Sequence, residues 1–314
     1  MYHSAAAEFP ARAALRPDGL YLDLRDIAAG QLQDPFLQQT VERVPSRSTV
    51  ARVSRDDLGK GITGTTPAGV VFHVGRCGST LVSQLLKQHD GVVVYSEPLA
   101  INDVLVPPHA WPRTELVGAL RTLGACFARH AGKPWVLKLS SWNTLYCDIV
   151  AEAFPATPWV LCVRDPVEVC VSLLERRPGW LKDAGQASHR FAAVVDPGLS
   201  SGSVEEYLAR LNAAYYRAVG VLDPGRGGLV AYETLPDAVW NVVGLRFGLV
   251  IDAQVRERMS LAARASAKAP VGREAAFAPD GARKQAAAAA SLRRAVDTLA
   301  RPELERLVSR FRAP

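Results

Sequence analysis

From Gly69 onward the chain alternates short apolar runs with longer amphipathic stretches, and few architectures accommodate that pattern. The runs are Val70–Val74, Val92–Tyr95, Trp135–Leu137, Trp159–Val163 and Leu229–Tyr232. Each follows a Gly or Pro, and each is nearly continuous rather than apolar at every second residue. That is the mark of a strand buried on both faces. Helical patterns lie between them, near 79–88, 114–130, 143–154, 166–176 and 203–221. The alternation predicts an α/β fold: a three-layer sandwich around a central, mostly parallel sheet of about five strands. After the last strand the pattern is helical, over roughly 236–247, 252–264 and 282–311, which predicts a helical C-terminal part.

Residues 1–67 show no comparable period. They are expected to form an irregular extension packed on the core, with a short helix within 32–44, while 68–314 form the main domain. Two further stretches, 178–203 and 265–281, lack a pattern and read equally as lids over a ligand or as surface insertions.

Of the 314 residues, 48% are hydrophobic, enough for one large core. No apolar run approaches the roughly 20 residues of a membrane span, and residues 1–17 do not resemble a secretory signal, so a cytoplasmic location is expected. The five cysteines are scattered with no C-x-x-C pair, which favours reduced thiols over disulfides or zinc. The net charge of +6 comes with 30 Arg and only 7 Lys. Arginine suits phosphate and sulfate recognition, although a GC-rich genome gives the same bias. No basic run or recognition module points to nucleic acid.

The run ending in Val74 is followed by Gly75-Arg76-Cys77-Gly78-Ser79-Thr80 and then by the helical face Leu81, Val82, Leu85, Leu86. Such a strand–turn–helix aims backbone N–H groups at one point and makes an anion site. The loop is not a Walker A sequence: aligned on Gly78, the lysine position is Ser79 and the first glycine position is His73. The run ending in Val163 is followed by Arg164-Asp165-Pro166-Val167-Glu168. Asp165, Pro166 and Glu168 read as a helix N-cap, first-turn proline and capping-box partner. That explains the two carboxylates but not Arg164, which sits at the carboxyl end of a strand, where open α/β sheets bind ligands.

GRCGSTL after an apolar strand resembles the 5′-phosphosulfate loop of the sulfotransferases that use 3′-phosphoadenosine 5′-phosphosulfate (PAPS), in particular the R-x-G-S-T branch of bacterial carbohydrate and tyrosylprotein enzymes. RDPVEVCVSLLER is similar to the 3′-phosphate motif of the same family. The resemblance spans about residues 68–285 and implies a P-loop NTPase-like fold. It also implies that PAPS is held by Gly75, Arg76, Cys77, Gly78, Ser79 and Thr80 at the 5′ side, and by Arg164, Ser172 and Arg176 at the 3′-phosphate. Tyr232, in a Tyr-Glu-x-Leu stretch, resembles the residue near the adenine. Lys268 and the stretch Phe277–Lys284 resemble a loop that closes on the nucleotide. Lys138 resembles the lysine that contacts the transferring sulfuryl group, beside Arg76.

Glu97 follows the second run, and the family's glutamate-using members carry their base there. His109 is the rival, whereas His130 and His73 read as satisfied structural histidines. The acceptor group, a hydroxyl or an amine, remains open among carbohydrate, peptide, lipid and small molecules, as does a homo-oligomeric state, and no metal is expected. Two alternatives stand beside this reading: a phosphotransferase using Mg-ATP, and a non-catalytic nucleotide-binding module.

Overall fold

The protein is described by a computed structural model covering residues 8–60, 66–106, 110–178, 181, 202–265, 267 and 280–312. Strands β4 (Gly69–His73), β5 (Val93–Ser96), β6 (Trp135–Lys138), β7 (Trp159–Val163) and β8 (Leu229–Ala231) form a five-stranded sheet in the order β5-β6-β4-β7-β8. Every pairing in it is parallel. All residues of β4 to β7 are buried, as the continuous apolar runs require of strands covered on both faces. Five strands in one parallel sheet are what the sequence pattern predicts.

The connection from β4 runs to one edge of the sheet and that from β7 to the other, so the chain reverses direction between these two adjacent strands. Their carboxyl ends therefore flank the crevice in which ligands of such sheets lie. Helix α2 (Ser79–Leu86) leaves β4 there and α6 (Pro166–Glu175) leaves β7. Helices α3 (Leu99–Leu105), α4 (Arg113–Ala131), α5 (Cys147–Ala153) and α7 (Val204–Gly220) complete the crossovers. Four of the five cysteines are buried and Cys126 is half-buried.

The N-terminal region departs from the expected irregular extension. Strands β1 (Phe9–Arg16), β2 (Gly19–Arg25) and β3 (Ser48–Ser54) form an antiparallel sheet, with α1 (Leu37–Arg43) between β2 and β3. Pro17-Asp18-Gly19 makes the β1–β2 turn, with Gly19 at φ 147°. Phe9, Ala11 and Ala13 alternate inward on β1, and Leu20 and Leu22 on β2. Phe9 stacks on Tyr95 with ring centroids 6.1 Å apart. The Tyr95 hydroxyl lies 2.7 Å from His130 Nδ1, and His130 Nε2 lies 2.7 Å from the Ile27 carbonyl. His130 is thus a satisfied buried side chain joining the N-terminal unit to β5 and α4.

The C-terminal pattern predicted as one helix is three: α9 (Gly281–Ala287), α10 (Ala290–Leu299) and α11 (Arg301–Arg312), preceded by α8 (Ala253–Ala262). Pro302 has no N–H to continue a preceding helix, but it fits the first turn of a new one.

Candidate active site

The Gly-rich loop is held in a conformation that only its sequence permits. Gly75 (φ 80°) and Gly78 (φ 84°) are left-handed. A Cβ on Gly78 would lie 2.4 Å from Leu235 Cδ1 and 3.0 Å from Tyr232 Cδ2, so space and dihedral both demand glycine. Arg76, between them, is also left-handed at φ 54°. A non-glycine residue there costs about 1–3 kcal/mol, and such strain concentrates at functional sites. His73 braces the loop: Nδ1 accepts from the Gly75 N–H at 3.1 Å, which leaves Nε2–H to donate to the Leu139 carbonyl at 2.8 Å. Ser79 and Thr80 are buried in the first turn of α2, and Cys77 is buried in the loop.

Glu97 and Lys138 meet at the same sheet edge. In the β5–β6 register Ser96 lies opposite Lys138, and the Glu97 N–H donates to the Lys138 carbonyl at 2.7 Å. Glu97 is the second left-handed non-glycine residue (φ 56°). Its carboxylate ion-pairs with the Lys138 ammonium through Oε1. Oε2 accepts from Ser140 Oγ at 3.4 Å, and His73 Nε2 is 3.7 Å from Oε1. Lys138 is 0% exposed, so it is no solvated surface lysine, whereas the Glu97 side chain is 25% exposed. A buried cation beside a reachable carboxylate can stabilise a developing negative charge and take up a proton within one constellation.

Arg164 forms a second cationic centre, only 4% exposed. Its guanidinium stacks 3.8 Å from the Tyr232 ring centroid and donates to the Arg76 carbonyl at 3.4 Å, which ties the β7 end to the Gly-rich loop. Glu168 Oε2 takes its Nε at 2.6 Å and Asp280 Oδ1 its Nη2 at 2.7 Å. Burial opposes the Arg164 charge, but these two carboxylates outweigh it and hold the group above the usual arginine range. Asp280 also pairs with the buried Lys284 at 2.6 Å. Burial works against its ionisation, yet Lys284 and Arg164 together bring the carboxyl down to about 2.

Asp165 caps α6 through the Val167 and Glu168 N–H groups at 2.9 and 3.4 Å. Glu168 does not complete the expected capping box, because its carboxylate is drawn to Arg164 instead. The helix C-cap, Arg176, offers its carbonyl to Arg76 Nη2 at 2.8 Å. Burial, with Arg176 nearby, pushes the Arg76 guanidinium below its ordinary value. Ser172 is half-buried on α6, one turn before Arg176.

Arg76, Gly78, Arg164, Arg176 and Tyr232 are thus joined directly, and Glu97 and Lys138 adjoin the same loop through His73. Lys268 and the rival base His109 lie outside the described residues, as do most of the stretches 178–203 and 265–281. Asp280 was expected only as part of the stretch Phe277–Lys284, not as a partner of Arg164, and Ser140 was not anticipated. The pairing of Asp280 with Arg164 has no local sequence signal, and Ser140 is legible only as a hydroxyl two residues past Lys138. Among the described residues, no group of three or more His, Cys, Asp or Glu side chains is placed to hold a metal ion, and no helix is long and apolar enough to cross a membrane.

No protein-family model matches the chain, and neither does a curated protein. Solved structures to which it is similar include a sulfotransferase from Alicyclobacillus acidocaldarius, 14% identical, covering 79% of this chain and 96% of that one at a TM-score of 0.47. A sulfotransferase domain from the curacin biosynthetic pathway is 16% identical and covers 62% and 77% at 0.40. A sulfotransferase from Mycobacterium avium is 14% identical and covers 66% and 69% at 0.40. The similarity is one of fold alone.

Proposed function

We propose that the protein is a sulfotransferase that moves the sulfuryl group of PAPS directly to an acceptor hydroxyl. The observation that carries this reading is the convergence, at one sheet edge, of two separate cationic anion seats with a carboxylate beside the first. One seat is the Gly-rich loop with Arg76, Ser79, Thr80 and Lys138. The other is Arg164 at the end of β7, with Ser172 on α6, Arg176 at that helix's C-cap and the Tyr232 ring against the guanidinium. Two seats suit a nucleotide that bears a 5′-phosphosulfate and a 3′-phosphate.

In this scheme the acceptor oxygen attacks sulfur as its proton passes to Glu97. The bond from sulfur to the bridging 5′-phosphate oxygen breaks, and the products are a sulfate ester and 3′-phosphoadenosine 5′-phosphate (PAP). Lys138 and Arg76 offset the charge that develops on the sulfuryl and bridging oxygens. Asp280 occupies the anion-facing side of Arg164 and must yield it to the 3′-phosphate. Calorimetry of the full chain with PAP, AMP and Mg-ATP, each with and without EDTA, tests the reading. PAP should bind best and without regard to EDTA. Equal affinities for PAP and AMP, or Mg-dependent binding of ATP alone, would overturn it.

A further inference from the structure

Outside the nucleotide crevice, one feature connects the N-terminal unit to the chemistry. Lys138 Nζ lies 5.4 Å from the ring centroid of Phe36, inside cation–π range. Phe36 does not belong to the α/β domain; it immediately precedes α1 in the N-terminal unit. It is half-exposed, unlike its neighbours Leu32 and Leu37, which are fully buried. Its ring therefore stands at the border between the core and the outside.

The strap that presents this ring is fixed from both units. The buried Asp34 carboxylate accepts from Thr40 Oγ1 at 2.8 Å and from Arg43 Nη2 and Nε at 2.7 and 2.9 Å. The Asp34 carbonyl accepts from the ammonium of Lys87, the residue that ends α2 in the α/β domain. The Phe36 N–H donates to Gln39 Oε1 at 3.2 Å, and its carbonyl accepts from the Gln39 N–H at 3.0 Å. A lysine ammonium is a point charge on a flexible stem. Glu97 alone fixes one direction for it, and an aromatic face on another side limits the remaining freedom.

We propose that Phe36 is a positioning residue for Lys138, so that the N-terminal unit forms part of the sulfuryl seat rather than only packing beside it. The proposal rests on the sulfotransferase reading above, and its test separates the two. Affinities of the full chain for PAPS and for PAP are measured by calorimetry, because the two ligands differ only in the sulfuryl group. Phe36→Leu removes the π face while keeping apolar bulk. It should weaken PAPS relative to PAP by roughly 3–10-fold and leave PAP itself within about twofold, in line with the size of cation–π effects. Phe36→Tyr, which restores the ring, should restore the wild-type ratio.

In a Lys138→Met background, Phe36→Leu should add nothing further to the ratio, as coupling through the ammonium demands. Should Phe36→Leu lower the melting temperature, Phe36→Met serves in its place. Equal weakening of both ligands, an unchanged ratio, or additive effects in the double variant would each overturn the proposal while leaving the sulfotransferase reading intact. Wild-type protein that shows no preference for PAP over AMP would overturn that reading instead.

Discussion

Arg164 and Asp280 form an ion pair of unequal partners: the arginine side chain is 4% exposed and the carboxylate 35% exposed, at 2.7 Å. The arginine is fixed by the Tyr232 ring, Glu168 and the Arg76 carbonyl, so the carboxylate is the partner able to leave. Asp280→Asn should therefore raise PAP affinity, by roughly tenfold if one charge-assisted bond of about 1.5–3 kcal/mol is largely relieved. Calorimetry checks this, and weaker binding would contradict it. Because the Asp280 carboxyl is held at about 2, below its unfolded value, its contribution to stability is present above about pH 4 and is lost only as pH falls toward 2. The competition it offers a nucleotide should be constant across neutral pH.

Arg164→Ala should erase the preference for PAP over AMP, since the 3′-phosphate would lose its charge-assisted donors. An expected loss of tenfold or more in PAP affinity follows from contacts of about 1.5–3 kcal/mol. AMP affinity should change little, and an equal loss for both nucleotides would count against the assigned seat.

Glu97→Gln keeps shape and removes basicity. Turnover should fall by about 10²–10⁴ while PAP affinity stays within a few-fold. His109→Ala, measured alongside, should remain active. The reverse pattern would assign the base to His109.

Lys87 supplies a pH prediction. Burial, only partly offset by Asp34, lowers its ammonium to about 7. Between about 7 and its ordinary value the unfolded chain binds the extra proton, so this residue makes stability rise with pH over that window. Below about 7 the penalty is present in full. The melting-temperature difference between Lys87→Met and wild type should therefore shrink as pH is raised from 7 to 10. A difference independent of pH would exclude the effect.

The central sheet was legible because its inner strands are buried on both faces, and such positions are filled mainly by continuous apolar runs such as Val70–Phe72 or Trp159–Val163. The Gly-rich loop and Arg164 were legible because backbone strain and buried charge restrict the residues allowed there. The N-terminal sheet was not: its inward positions are filled partly by Ala11 and Ala13, which carry little hydrophobic contrast. Pro17-Asp18-Gly19 was the signal available for its turn. The pairings of Asp280 with Arg164 and of Phe36 with Lys138 escaped for another reason, since each partner comes from a segment remote in sequence, and no local pattern encodes such a meeting.

The left-handed backbones of Arg76 and Glu97 bear on how this chain withstands selection for heat resistance. Glycine at either position would relax the backbone and delete a side chain on which the proposed chemistry depends. Part of the gain would be offset by the added freedom of the unfolded chain. A library screened only for folded protein at elevated temperature should therefore tolerate Arg76→Gly but not Glu97→Gly, which would strip the buried Lys138 ammonium of its counter-charge, whereas one screened for turnover should purge both. The sites where the two screens disagree would map the chemistry without knowledge of the acceptor.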